Sequence, residues 1–151
     1  MQVVVDSSTL ISLAWAAQLS LLGRLPIEPV VIQAVYDEVV VAGRASGHAD
    51  AVAIEQALVG VVPLADPDGD SVDARVVAAA AAVGIVACND VVIGRRASNL
   101  GARWLRTADL VVLGVRLGSF DADVGRRAIA ALGSSGRITP ELERAYTEEL
   151  G

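Results

Sequence analysis

The chain has no lysine, one cysteine, one histidine and few aromatic side chains, and each shortage removes a class of function. Cys88 alone cannot close an internal disulfide, and with His48 as the only histidine the soft ligands needed for a zinc site are missing. A Ser-His-acid or Cys-His enzyme would have to use His48, which sits in a Gly-rich stretch, and no G-x-S-x-G elbow precedes a helix. Neither a P-loop nor a G-x-G-x-x-G is present, so a nucleotide cofactor has no anchor. A receiver-type or phosphatase-like domain expects a lysine beside its phosphoacceptor aspartate, and all 12 basic residues here are arginines. No apolar run reaches the length of a bilayer span, and the opening MQVVVD lacks the basic region and long apolar stretch of a secretory signal. A cytoplasmic protein without a membrane segment is the expectation.

What is abundant is small aliphatic residues and carboxylate. Hydrophobic residues make up 54% of the 151 positions and aromatics only 3%, so the core must be built from Ala, Val, Leu and Ile. The length suits one domain, residues 1–151. Short apolar runs alternate with helical stretches. Strands are expected at Val3–Val5, Val30–Ile32, Val61–Leu64, Ile85–Cys88 and Arg103–Leu105. Helices are expected over Ser7–Ala17 with a continuation Leu19–Leu25, then Ala34–Val41, His48–Leu58, Val72–Val83, Ile93–Leu100, Asp109–Leu117, Ala122–Leu132 and Pro140–Leu150. Gly43 to His48 reads as a mobile loop. Strands separated by helices give an α/β fold with a parallel sheet covered on both faces.

Two acids, Asp6 and Asp90, each follow a buried strand, at the sheet edge where open parallel sheets bind ligands. Asp73 lies in the first turn of the Ala-rich helix, and Glu38 lies in the helix after the second strand beside Asp37, from which spacing does not separate it. Oxygen ligands without nitrogen or sulfur suit Mg²⁺ or Mn²⁺, and such a cluster supports phosphodiester hydrolysis without a protein nucleophile. Each acid also has an ordinary reading. Asp6 is placed to cap a helix, Asp73 is favoured by a helix dipole, Asp90 suits a turn beside Asn89, and Glu38 suits a solvated helix face. Ser8 is placed either to cap or to orient a water. Asp66, Asp68 and Asp70 alternate as in a calcium loop, but Gly69 is at the fourth position and Val77 at the twelfth, which excludes an EF-hand. Net charge is −6, against electrostatic coating of nucleic acid, and Arg95, Arg96, Arg103 and Arg106 form the one basic group that could hold RNA phosphates.

In order along the chain, these segments resemble the PIN-domain ribonucleases. Val3-Val4-Val5-Asp6-Ser7-Ser8-Thr9-Leu10-Ile11 is similar to the opening strand and D-[ST]-S-x-L-[IV] of that family, and Ile32 to Val39 resembles its second motif. Asp73 to Ala80 looks like the third, in which an acid opens an Ala-rich helix, and Cys88-Asn89-Asp90 with Arg95-Arg96-Ala97 resembles the fourth. Ile138-Thr139-Pro140-Glu141-Leu142 is similar to the closing helix of the subfamily resembling toxins of bacterial toxin–antitoxin pairs. The resemblance implies an α/β/α sandwich with a central parallel sheet, a Mg²⁺ or Mn²⁺ site on Asp6, Glu38, Asp73 and Asp90, RNA cleavage, a homodimer and an antitoxin that blocks the site. It selects Glu38 over Asp37. The fourth motif commonly carries two acids in tandem, and here the first is Asn89; Asp109 is either a further acid near the cluster or a helix cap, the latter being preferred. A module of the same fold that holds RNA or protein without cutting is the alternative.

Overall fold

The computed structural model describes residues 1–151. Four short strands, β1 (Gln2–Val5), β2 (Glu28–Val30), β3 (Ile85–Ala87) and β4 (Arg103–Leu105), pair in parallel in the order β2-β1-β3-β4. The β-branched run Val3-Val4-Val5 is fully buried because helices cover both faces of the sheet. Alternation of side chains then sorts the core in two. On one face Val4, Val86 and Trp104 meet α4 (Ala49–Ala57), α5 (Val72–Val83) and α6 (Val91–Asn99) through Ile54, Val76 and Ile93. On the other, Val3, Ala87 and Leu105 meet α7 (Thr107–Arg116) and α8 (Ala122–Ser134), with α9 (Pro140–Glu149) adding Tyr146. The result is the expected α/β/α sandwich. No helix is long and apolar enough to cross a membrane.

Departures from the sequence reading have local causes. The second strand begins earlier, at Glu28, and includes Pro29, which is tolerated because β2 is an edge strand and needs no N–H on its outer side. Val61–Leu64 is not a strand. The segment makes a single bridge, Leu64 to Ile32, and leaves Val62 in solvent. The stretch starting at Gly43 is not a loop throughout. The second helix starts as α2 (Gln33–Tyr36), widens to a π-helix over Asp37–Ala42 and runs on through α3 (Gly43–Ala45). Gly43 has ordinary helical dihedrals; it is small because a Cβ there would lie 2.9 Å from the Ala51 Cβ of α4. The chain turns only at Gly47, where φ is +73°. Leu19–Arg24 is a 3₁₀ turn separate from α1 (Ser7–Trp15), broken off at Ala17 with φ 54°.

The chain crosses from β1 outward to β2, then back over β1 to β3. The loops after β1 and β3 therefore diverge from adjacent strands, and the crevice between them is the switch point of the sheet.

Candidate metal centre

Asp6 and Asp90 arrive at that switch point by continuation of paired strands. The Asp6 N–H still donates to the Ala87 carbonyl at 3.0 Å, and the Cys88 N–H to the Leu105 carbonyl at 3.0 Å, so both chains leave the sheet side by side. Glu38 reaches the same edge from the π-helical stretch and Asp73 from the first turn of α5. π-helical turns are uncommon and concentrate at functional sites.

Geometry now separates the ordinary readings. Asp6 stands at the N-cap of α1, yet its carboxylate makes no cap hydrogen bond. It is turned instead to the Ser8 and Ser7 hydroxyls, which donate to it at 3.1 and 3.4 Å, and it is 3% exposed with no cationic partner among the chain's ion pairs. Burial pushes its pKa up, the nearby Ser7 backbone N–H and then the Ser8 hydroxyl oppose this, and the negative charge of Asp73 adds to the rise. Glu38 is exposed but shares the field: partial desolvation first, then Asp6 and Asp73, raise its pKa, while the Ser7 hydroxyl lowers it. Asp6, Glu38 and Asp73 thus form one electrostatic group. Asp73 does not cap α5, since the Ser71 hydroxyl already accepts from the Ala74 N–H.

Asp90 differs. Its Oδ1 accepts from the Val92 and Ile93 N–H groups at 2.9 and 3.1 Å, an N-cap of α6, which leaves Oδ2 for other work. It belongs to the same locality as Asp6, because both carboxylates, after burial, push the Cys88 thiol up to about 12. Asp109 is a cap and a tether: its Oδ2 accepts from the Arg106 N–H at 2.7 Å and its Oδ1 from the Tyr146 hydroxyl at 2.9 Å. These two bonds give Asp109 a structural task at the start of α7, as a helix cap would have.

Asn89 is the hinge of the site. Its N–H donates to the Ser8 Oγ at 3.0 Å, its Nδ2 to the Ser12 Oγ at 2.9 Å, and its Oδ1 accepts from the Thr107 N–H at 3.1 Å. It ties β3 to α1 and gives the Thr107 N–H at the start of α7 its acceptor, beside the Asp109 bond to the Arg106 N–H. Ser12, Thr107 and Arg137 went unassigned in the sequence reading. The usable signals were the i, i+4 spacing of Ser8 and Ser12, which puts both on one helix face, and the position of Thr107 two residues past β4. The basic group Arg95, Arg96, Arg103 and Arg106 is split. Arg103 opens β4 and Arg106 follows it, so the strand holds them at opposite edges of the sheet, while Arg95 and Arg96 stand exposed on α6.

The donor set is oxygen only and anchored by a buried, uncompensated carboxylate, which fits a hard divalent cation. As the side chains stand, no three acids converge closely enough to grip an ion. Closure requires the exposed Glu38, Asp73 and Asp90 to turn toward Asp6.

Searches of curated proteins and of solved structures each returned no match. A family model described as a PIN domain matches residues 2–141, from the first strand into α9, and so spans every acid of the group. The chain therefore belongs to the PIN-domain family, whose members are generally nucleases and typically use divalent metal ions.

Proposed function

We propose that this chain is a Mg²⁺- or Mn²⁺-dependent endoribonuclease and the toxin of a toxin–antitoxin pair. The observation that carries the nuclease reading is Asp6, a buried carboxylate at the switch point that neither caps its helix nor meets a cation. Within a nuclease family, that is the position for an ion. Asp6, Glu38, Asp73 and Asp90 would hold it. When bound, the ion supplies Lewis-acid polarisation of a phosphate oxygen and a more acidic attacking water.

The chain's own contribution is orientation. Ser8 spans the site, donating to Asp6 Oδ2 and accepting from the Asn89 N–H, so the first and fourth motifs are locked together at one hydroxyl. Ser7 orients Asp6 and lowers the pKa of Glu38, favouring the charged form in both. The shape of α7 is fixed by Asn89 and Asp109, so the floor of the site does not shift as charge changes above it. An acid cluster that repels itself without metal also suits a partner that inserts an arginine in place of the ion, the expected action of an antitoxin. A homodimer belongs to the same reading.

A second reading is favoured by Asn89 in place of an acid and by the open acid cluster: a PIN-like module that holds RNA or a protein without cutting. Incubation of the purified protein with varied single-stranded RNAs decides between them. Cleavage in Mn²⁺ or Mg²⁺ that stops in EDTA is expected. Intact RNA throughout, with Asp6→Asn behaving like the natural sequence, leaves the binding module.

A further inference from the structure

Beside the acid group lies a cleft of about 450 Å³, within the ~300–1,000 Å³ range of small-molecule sites. Asn89 and Val91 form the wall it shares with the metal centre; Arg106, Arg137, Ile138 and Leu142 form much of the remainder. In an acidic chain, the two arginines stand out. Both are half-buried, and the ion pairs of the protein are made by Arg44, Arg75, Arg116 and Arg126 instead. Each guanidinium is laid on an indole: Arg106 is 5.1 Å from the Trp104 ring and Arg137 is 4.8 Å from the Trp15 ring. Arg137 is further fixed by its Nε, which donates at 3.0 Å to the Ser12 Oγ that also receives Asn89. Trp15 is held in turn by Asp50, to which its Nε1 donates at 2.8 Å. Two pre-oriented cations without carboxylates, in a cleft with an apolar side, are built for an anion that carries a flat apolar group.

Resting on the nuclease reading, we infer that this cleft holds the nucleotide next to the cleaved bond, with a phosphate between Arg106 and Arg137 and its base on Ile138 and Leu142. Continuity with the metal centre selects the occupant. The cleft borders the acids at Asn89 and Val91, the chain neighbours of Asp90, and Asn89 is bonded to Ser8 and through it to Asp6, so a strand longer than the cleft would pass on to the carboxylates. A phosphodiester strand repeats its phosphates at a regular spacing, so that one would meet the arginines and the next a divalent cation held by the acids; an acidic peptide lacks that repeat.

The test is anisotropy of a labelled ten-nucleotide single-stranded RNA in EDTA, where binding is read without cleavage, over a range of salt concentrations. Arg106→Gln and Arg137→Gln should each weaken binding about tenfold, the loss of one charge-assisted contact. Each should also flatten the slope of log affinity against log salt by about 0.7. Arg137→Lys keeps the charge, gives up the Ser12 bond and should retain the slope, which a purely structural role for Arg137 does not predict. Arg24→Gln removes a cation stacked on Phe120 in the 3₁₀ turn after α1, outside the cleft, and should bind within about twofold of the natural sequence. Binding by the Arg106 and Arg137 variants that matches Arg24→Gln overturns the inference. So does capture of a labelled acidic peptide through these arginines while RNA stays free. Cleavage in Mn²⁺ is scored separately. Arginine-dependent binding without cleavage keeps the cleft and removes the nuclease reading; cleavage with unaltered variant binding does the reverse.

Discussion

Replacing Asn89 by alanine tests whether the site is held by this one amide. Two contacts go. The Thr107 N–H, in a fully buried residue at the start of α7, loses its only acceptor, and an unsatisfied buried donor costs about 1–3 kcal/mol. Ser12 keeps Arg137 and loses one of two donors, at a cost of about 0.5–1.5 kcal/mol. Together these give roughly 2–4 kcal/mol, and at ~2–4 °C per kcal/mol for a chain of this size the melting temperature should fall by about 5–15 °C. Asn89→Asp should behave differently. A carboxylate still accepts from Thr107, sits favourably at a helix N-terminus, and accepts from the Ser12 hydroxyl once that rotates, so the loss should stay under about 1 kcal/mol. It also creates the tandem acid of the fourth motif and should tighten Mn²⁺ binding while changing cleavage only modestly. Differential scanning fluorimetry in EDTA reads the first effect, and Mn²⁺ titration the second. An alanine variant melting within about 2 °C of the natural sequence, or an aspartate variant as unstable as the alanine one, refutes the reasoning.

Asp90→Asn should leave the fold intact, because asparagine caps a helix as well as aspartate, yet nearly abolish cleavage; full activity at limiting Mg²⁺ removes Asp90 from the ligand set. Gly94→Ala should destabilise by about 1–3 kcal/mol, since its Cβ would lie 2.1 Å from the Trp104 ring, which is anchored by its own bond to the Cys88 carbonyl. Displacement of α6 then carries Asp90 with it, so Mn²⁺ affinity should fall alongside the melting temperature. The pKa of Asp6 is raised in the folded chain above 3.8, chiefly by burial, so its contribution to stability is present below that value and is lost as pH rises through the raised one. Metal-free protein should therefore lose melting temperature as pH climbs above the ordinary aspartate value, and Mn²⁺ should restore it at the upper end; a metal-insensitive profile contradicts this.

The parts of this fold legible in the sequence were those dictated by local chemistry. Val72–Val83 is bounded by a serine cap and by Gly84 at φ +101°, and both ends were readable from residue type. Buried β-branched runs marked β1 and β3, while the run Val30–Ile32 only overlaps the end of β2. What escaped was set by distant partners. Gly43 looked like a stop but is a packing contact with Ala51, and Val61–Leu64 had strand composition but no neighbour with which to complete a ladder. At the site, the order and types of the acids were visible, whereas their environments were not. Asp6, Asp90 and Asp109 all sit near helix starts, and only the fold reveals that one is buried and uncapped, one caps with a single oxygen, and one bonds through both oxygens at the start of α7. The amide of Asn89, a departure from the family pattern, proves to be the bond that joins three elements.

The central claim is that Asp6 anchors an ion on which RNA cleavage depends, and the most direct test is the cleavage rate as a function of Mn²⁺ concentration for the natural sequence and for Asp6→Asn. The substitution keeps the shape and an acceptor for one of the two serine hydroxyls while removing the charge. Cleavage by the natural sequence should saturate with Mn²⁺. In the variant, the half-saturating concentration should rise by at least the roughly 10–100-fold that loss of a supporting partner costs, with a lower rate at saturation. Superimposable curves for the two proteins, or cleavage that persists in EDTA, contradict the account.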